Sequence, residues 1–510
     1  MSSAELDKHA SRLKRRERII SNITSRLTPL RIILFIVGYA WLLLLPWKGL
    51  SRTAWIDENA LQPGQVNVDW NWGDVKAADG YLEHLEALWN KNATSAERAG
   101  YIQQAFKDVG LETGSQQYSF VTPSGNTTGI NAYALSRSSR SSGTEAIVIA
   151  ASWISLQSET SPLTPKPSPL VTQPNLRGIA TLLALARSLS VQHVWAKDLI
   201  FLVSDSYLDG AHAWLSAYHG AEQEGMHADA LVHPEPAGVI WTAIVLDYPG
   251  HSFSHLGLFF EGTNGRLPNQ DFANSASTIS RSMGIPWVLY DHNDGDRLNL
   301  KGRGILISLL VELAEIFGLD VQDYWRRARN IVRNVGYQAT GEPSGVHGVF
   351  HRYRIDAITL FALPARGPHG FHSLGRVVES LLRTSNNLLE RLHASFFFYI
   401  FTAPGEFAEF AKYLPPVIIL GLVASFGGLK LYVQTGWTRS RGAGNEEIWA
   451  VRDRPVLEVL CIMGLTHAAG LATLAIVNRA WFWQAIEVRL SLLPKQLTNH
   501  HLDLQRVGCD

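Results

Sequence analysis

Apolar positions fall into two regimes along this chain. Residues 32–47, 413–429 and 456–477 are nearly continuous apolar runs. Each is close to the length a helix needs to cross a hydrocarbon core. Between the first two, apolar residues come in short runs separated by polar turns. Residues 146–151 (AIVIAA), 198–203 (DLIFLV), 239–246 (VIWTAIVL), 255–261, 287–290 and 355–363 have the length of buried strands. Residues 178–189, 211–218, 271–283, 304–316, 321–332 and 374–392 carry apolar residues at helical spacing. Residues 158–174 are rich in Ser, Thr and Pro and predict a loop over the sheet.

Strands alternating with helices predict an α/β fold, with a mostly parallel central sheet flanked by helices, plus transmembrane helices. In the strongest unit, helix 178–189 leads to strand 198–203, a polar turn at 204–210 and helix 211–218. Ligands of such sheets sit beyond the carboxyl ends of the strands. Asp205 and Asp247, each at a strand end, are therefore the first candidates for chemistry.

Charge sets the orientation. Lys14, Arg15, Arg16, Arg18 and Arg26 precede the first run, and Lys430, Arg439 and Arg441 follow the second. Basic flanks stay in the cytosol. The expected plan is a cytosolic segment 1–29, a signal-anchor at 30–48 and a luminal domain at 49–395. An interfacial segment with a span follows at 396–433, then a cytosolic loop at 434–455, a span at 456–478 and a tail at 479–510. The exit Pro46-Trp47-Lys48 lacks a small-residue cleavage pattern, which argues against a removed signal peptide. Glu458 and His467 lie inside the last span, where ionisable groups usually face protein or a cavity. Asn92 and Asn126 head glycosylation sequons on the luminal side.

Composition narrows the function. Of 510 residues only 18% are charged, 45 basic against 45 acidic, which excludes nucleic-acid binding by bulk charge. Sixteen tryptophans add to the membrane reading. The only cysteines, Cys461 and Cys509, give the middle of the chain neither a disulfide framework nor a nucleophile. The acidic stretch 291–296 lacks the spaced ligands of a calcium loop and predicts a surface turn. Glu261-Gly-Thr-Asn-Gly265 has no Lys-Ser/Thr after it and is no phosphate loop, and no serine nucleophile elbow occurs.

The luminal block resembles the di-zinc aminopeptidase fold, which includes leucyl aminopeptidases and glutaminyl cyclases. That family places His and Asp after the first central strand, where this chain has Ala151-Ser152-Trp153-Ile154. The family's bridging Asp falls at Pro174, before Asn175-Leu-Arg-Gly178, and its Glu-Glu pair falls in Ser204-Asp-Ser-Tyr-Leu-Asp209. Asp247 stands where the family carries a ligand carboxylate. His347 lies in a Gly-Val-His-Gly-Val-Phe segment similar to the family's Asp-His-x-Pro-Phe, and His369 and His372 follow a strand near the last ligand's place. The resemblance therefore implies a metal-free scaffold, with Asp205, Asp247 and His347 as candidates for a residual zinc site.

A second resemblance is more specific. WAKDLIFLV at 195–203, AWLSAYH at 213–219, EGTNGRLPN at 261–269 and GVHGVF at 345–350 occur in order, followed by NLLERLHASFFFY at 387–399. Together they are similar to the Gaa-type subunit of the GPI transamidase, over residues 12 to about 433. The resemblance implies a subunit of the endoplasmic reticulum membrane with its main domain luminal. Its partners would be the other transamidase subunits, including a caspase-like cysteine catalytic subunit, the GPI lipid and the precursor protein. It implies no catalytic residue and no cofactor in this chain. A helix continuing from 374 would carry Arg391, His393, Phe396, Phe397 and Phe398 to the headgroup level as lipid or subunit contacts. Two alternatives are a luminal metallopeptidase-like enzyme that itself assists amide formation, and a stand-alone lipid-binding protein.

Overall fold

The computed structural model describes residues 3–63, 67–122, 125–156, 173–221, 223–291, 320–393, 397–435, 437–441, 447–451 and 456–477. These divide into two compact units. The larger, Thr28–Tyr118 with Gly129–Ala424, holds a central sheet and two apolar helical segments. The other comprises Met1–Leu27, Ser119–Thr128 and Ser425–Asp510. Within it lie an antiparallel hairpin, β13 (Trp437–Arg441) and β14 (Glu447–Val451), and an apolar helix, α11 (Val456–Val477).

Among the described residues the central sheet has nine strands, in the order β6 (Met226–Ala228), β2 (Glu112–Thr122), β3 (Gly125–Ser136), β5 (Asp198–Ser204), β4 (Glu145–Ser152), β7 (Val239–Asp247), β10 (Asp356–Pro364), β8 (Phe253–Phe259) and β9 (Trp287–Leu289). Neighbours β5, β4, β7 and β10 run parallel, as do β8 and β9; β3 pairs antiparallel with β5, and β8 with β10. The sheet is thus mixed and mostly parallel, as the alternation of elements predicts. Its middle strands are apolar throughout because both faces are covered. One face buries Ile147, Ile149, Phe201 and Leu246 under α2 (Trp72–Asn90), α3 (Ser95–Asp108), α4 (Leu176–Ser190) and α6 (Gln270–Ser282). The opposite face buries Val148, Leu202 and Val245 under α5 (Asp209–Tyr218) and the single turn α8 (His347–Phe350).

Among the described residues three helices are long and apolar enough to cross a membrane: Ser25–Leu44, within α1 (Ser3–Leu44), Phe410–Tyr432, within α10 (Phe410–Thr435), and Val456–Thr473. They match the three apolar runs. The basic start, read from sequence only as a polar segment, is continuous helix with the first span. A three-stranded sheet follows, in which β1 (Arg52–Thr53) pairs with β12 (Glu406–Glu409), and β12 with β11 (Tyr399–Ala403). The chain leaving the first span and the chain entering the second are therefore tied by one ladder.

The helix expected at 374–392 is α9 (Phe371–Asn386) and does not continue. Asn386 stops it: its Oδ1 accepts from the amides of Ala196 (2.8 Å) and Lys197 (3.2 Å). Polar side chains that bond distant backbone compete with helix propagation. Leu388 and Leu392 then fold back into the core. Phe397 and Phe398 precede a strand rather than ending a helix, and Phe396 lies outside the described residues. Strand 255–261 sits two residues earlier, and helix 321–332 is longer, as α7 (Val321–Thr340). The helix expected at 304–316 lies outside the described residues. Much of the tryptophan content is core rather than membrane belt: Trp70, Trp153, Trp195, Trp214 and Trp287 are buried in the folded domain.

Candidate functional site

The carboxyl ends of β4, β5 and β7 form one rim, and hydrogen bonds close it. Asn175, at the start of α4, donates to the carbonyls of Ser152 (3.1 Å) and Leu246 (2.8 Å) and accepts from the amide of Tyr248 (2.7 Å). One neutral amide thus ties two strand ends. Gly178 is needed for it, because a Cβ there would stand 2.2 Å from Asn175 Oδ1.

Asp205 follows β5 and is buried. Arg98 Nη2, from α3, lies 2.8 Å from its Oδ1, and the amides of Ile130 (3.2 Å) and Ser206 (3.1 Å) donate to the same carboxylate. The Arg98 guanidinium lies over Trp153, 5.0 Å from the ring centroid. The turn itself is pinned by Asn131, which accepts from the Asp205 amide (3.0 Å) and donates to Gly210 O (2.8 Å). Asp247 ends β7, where it accepts from Ser155 Oγ and the Leu156 amide, each at 2.7 Å.

His347 is elsewhere. It lies under the sheet, buried in α8. Its Nε2–H donates to the Glu261 carbonyl (3.1 Å), so its Nδ1 accepts from Thr359 Oγ1 (2.8 Å). Thr359 pairs with Val245, two positions short of the Asp247 register. Burial, with His351 beside it, pushes the His347 pKa well below the usual imidazole value. His369 packs on Phe253, and His372 stacks on Trp72 with ring centroids 4.6 Å apart.

Zinc needs three or four convergent His, Cys or carboxylate ligands. Among the described residues no three such groups converge. Two guanidinium groups also stand at the rim: Arg98 on Asp205, and Arg177 over the rings of Tyr248 and Phe371. Fixed positive charge there opposes a divalent cation. The described residues at the rim do not fit the metal.

Sequence reasoning missed Arg98, which joins Asp205 from 107 positions away with no local signal. It also missed the role of Glu261, a lone acid ending an apolar strand. Glu261 is fully buried, hydrogen-bonded by Tyr290 OH and by Asn334 Nδ2 (2.9 Å), and burial raises its pKa. Asp291, in the acidic stretch, pairs with Arg333 at 2.6 Å; the rest of that stretch lies outside the described residues.

Of the expected lipid or subunit contacts, Arg391, Phe397 and Phe398 line one cavity. His393 lies outside it, 3.8 Å from Glu58. Asn92 is exposed in a left-handed turn, and Asn126 is exposed at the start of β3.

The model of the family "Gaa1-like, GPI transamidase component" matches residues 128–502, and the chain belongs to that family. The GPI transamidase component GAA1 of Saccharomyces cerevisiae is 26% identical over 426 residues, covering 82% of this chain and 60% of the yeast protein. The corresponding gaa1 component of Schizosaccharomyces pombe is 25% identical over 410 residues, covering 79% and 64%. The chain thus spans less than two thirds of either relative. Among solved structures it is similar to the Legionella pneumophila LapA aminopeptidase, at 10% identity and TM-score 0.40 over 66% of this chain and 77% of that one. The Fimbriiglobus ruber glutaminyl cyclase matches at 12% identity and TM-score 0.38, over 63% and 98%.

Proposed function

We propose that this member of the Gaa1-like family is a non-catalytic subunit of a GPI transamidase in the endoplasmic reticulum membrane, its main domain luminal. It presents the GPI lipid, the precursor protein or both for anchor attachment. The observation that carries this reading is the Arg98–Asp205 pair. At the rim where an α/β sheet does chemistry, the buried carboxylate is already neutralised by a guanidinium and two backbone amides. Asp247 is likewise bound, by Ser155 and Leu156. A general base beside a metal needs a free carboxylate, and these are engaged structurally.

The chain's cysteines add support. Neither Cys461 nor Cys509 lies in the stretch 49–395, which accords with thiol chemistry on the acyl group being supplied by a partner such as a caspase-like cysteine subunit. A presenting subunit accelerates the reaction by position alone, holding the lipid's amine near the acyl-enzyme; such preorganisation supplies several kcal/mol. The luminal address draws support from the basic flanks and from the exposed sequon at Asn92.

The test is membership and rescue. The tagged chain, expressed in cells lacking their own Gaa1-like component, should co-purify the cysteine subunit and restore GPI-anchored proteins to the surface. A chain that inserts and folds but neither associates nor restores anchoring contradicts the proposal.

A further inference from the structure

The amino-terminal edge of the parallel strands, opposite the carboxylate rim, holds a cavity of about 590 Å³. Five separate parts of the chain build it: residues 264–267 after β8, Gln338 in α7, His351 with residues 354–356 at the start of β10, Arg391 and Leu392 with Phe397 and Phe398, and Tyr413 in the first turn of α10. Tyr399 OH donates to Pro268 O (3.1 Å) and fastens the aromatic segment to the first of these.

Its charge is one-sided. Among the described residues, Arg266, Arg354 and Arg391 line it against one acid, Asp356. Asp356 is itself engaged, accepting from the Asn269 amide at 2.7 Å. Arg266 spends Nη1 on the carbonyls of His351 and Arg352, and Arg391 spends Nη2 on Ile240 O at 2.8 Å. Each keeps further N–H groups. The Arg354 side chain has no hydrogen bond or ion pair among the described residues, and its backbone sits at φ 59, a region arginine rarely adopts. The other wall is apolar and open: Phe397 is 40% and Phe398 71% exposed, next to the helix that enters the span. Exposed apolar rings beside a span can be buried at the boundary between headgroups and acyl chains.

We propose that this cavity holds the phosphodiester headgroup of a membrane phospholipid, with Arg266, Arg354 and Arg391 on the phosphate and Phe397 and Phe398 against the first methylenes. Arginine's planar fork of donors matches phosphate oxygens. The volume lies within the range of small-ligand sites. The proposal rests on the reading that the subunit works beside lipid at the membrane surface.

The test uses the full chain, delipidated in detergent, with bound lipid counted by native mass spectrometry. Phosphatidylinositol should bind, diacylglycerol should not, and millimolar inorganic phosphate should not displace the lipid. Arg354→Glu should weaken phosphatidylinositol binding about tenfold or more, because it replaces a phosphate donor by a like charge. Arg354→Lys should keep most of the binding, and a thermal midpoint equal to wild type shows that Arg354→Glu still folds. Equal retention by Arg354→Glu, or equal binding of diacylglycerol, overturns the site. Full displacement by inorganic phosphate overturns the lipid as occupant. A chain that restores anchoring while Arg354→Glu binds lipid as wild type loses the pocket and keeps the subunit reading. A chain that fails to join the complex while its lipid binding depends on Arg354 loses that reading and keeps the pocket.

Discussion

Arg98 and Asp205 meet 2.8 Å apart across the end of β5, with side chains 18% and 4% exposed. Removing one partner leaves a charge in a site that water barely reaches, which typically costs about 3–5 kcal/mol. Arg98→Met should therefore lower the thermal midpoint of the purified chain by many degrees. Arg98→Met with Asp205→Asn should recover more than half of that loss, since Asn still accepts from Ile130. A double variant no more stable than Arg98→Met would show that the pair is not the source of the cost.

Acid should destabilise the fold through two buried histidines. Burial holds His347 well below 6.5 and pushes His351 down to about 4. Unfolded, both titrate near the ordinary value, about 6.5. The unfolded state then binds more protons below that pH, so their stabilisation is complete above it and is lost as pH falls toward their folded values. Asp356, raised to about 6 by burial, acts in the opposite sense: its folded state holds the proton more tightly, so its contribution improves as pH falls through about 6. His347→Gln can keep both hydrogen bonds without titrating. Its thermal midpoint should fall less than that of wild type between pH 7.5 and pH 5, and parallel curves would contradict the assignment.

Gly38 and Leu420 define the contact of the first two spans. A Cβ at Gly38 would stand 3.0 Å from Leu420 Cγ and Cδ2, and Arg31 Nε donates to Val423 O at 3.3 Å on the same pair of helices. Small residues permit such close packing in a bilayer. With Cys461 and Cys509 replaced by Ser, Gly38→Cys with Leu420→Cys should lose both free thiols to mild oxidation in membranes, while either single variant stays reactive to maleimide. Full maleimide labelling of the oxidised double variant would separate the two helices.

The luminal address is open to a glycan test. Endoglycosidase should shift the mobility of the chain expressed in eukaryotic cells, and Asn92→Gln should remove one step. Protease digestion of the main domain in sealed microsomes without detergent would place it on the other side.

How much the sequence disclosed depended on how local the determinant was. The strands at 146–151, 198–203 and 239–246 agree with β4, β5 and β7 within a residue or two, because strands buried on both faces are continuous apolar runs. β2 and β3 went unread: GSQQYSF and NTTGINA mix polar and apolar positions on strands toward the sheet's edge. The break after Asn386 was hidden because Leu388 and Leu392 keep helical spacing, while the amides that capture Asn386 lie 190 positions back. The rim follows the same logic. Asp205 and Asp247 could be found as strand-end acids, but Arg98, Ser155 and Leu156, which decide their role, are joined to them only by the fold. Of the membrane-facing candidates, Arg391, Phe397 and Phe398 do come together, with Arg266 and Arg354 as the unforeseen members.

In the proposed role the main domain acts by position and supplies no metal-bound or carboxylate chemistry. It is tested most directly by anchor attachment in a chain carrying Arg98→Met, Asp205→Asn and Asp247→Asn, which removes both carboxylates without leaving the guanidinium unpaired, in cells that lack their own counterpart, with assembly and thermal stability followed in parallel. Attachment at near wild-type rate in the assembled, folded variant is the predicted result. Loss of attachment in that variant, together with stoichiometric zinc in the wild-type chain that the substitutions remove, would contradict it.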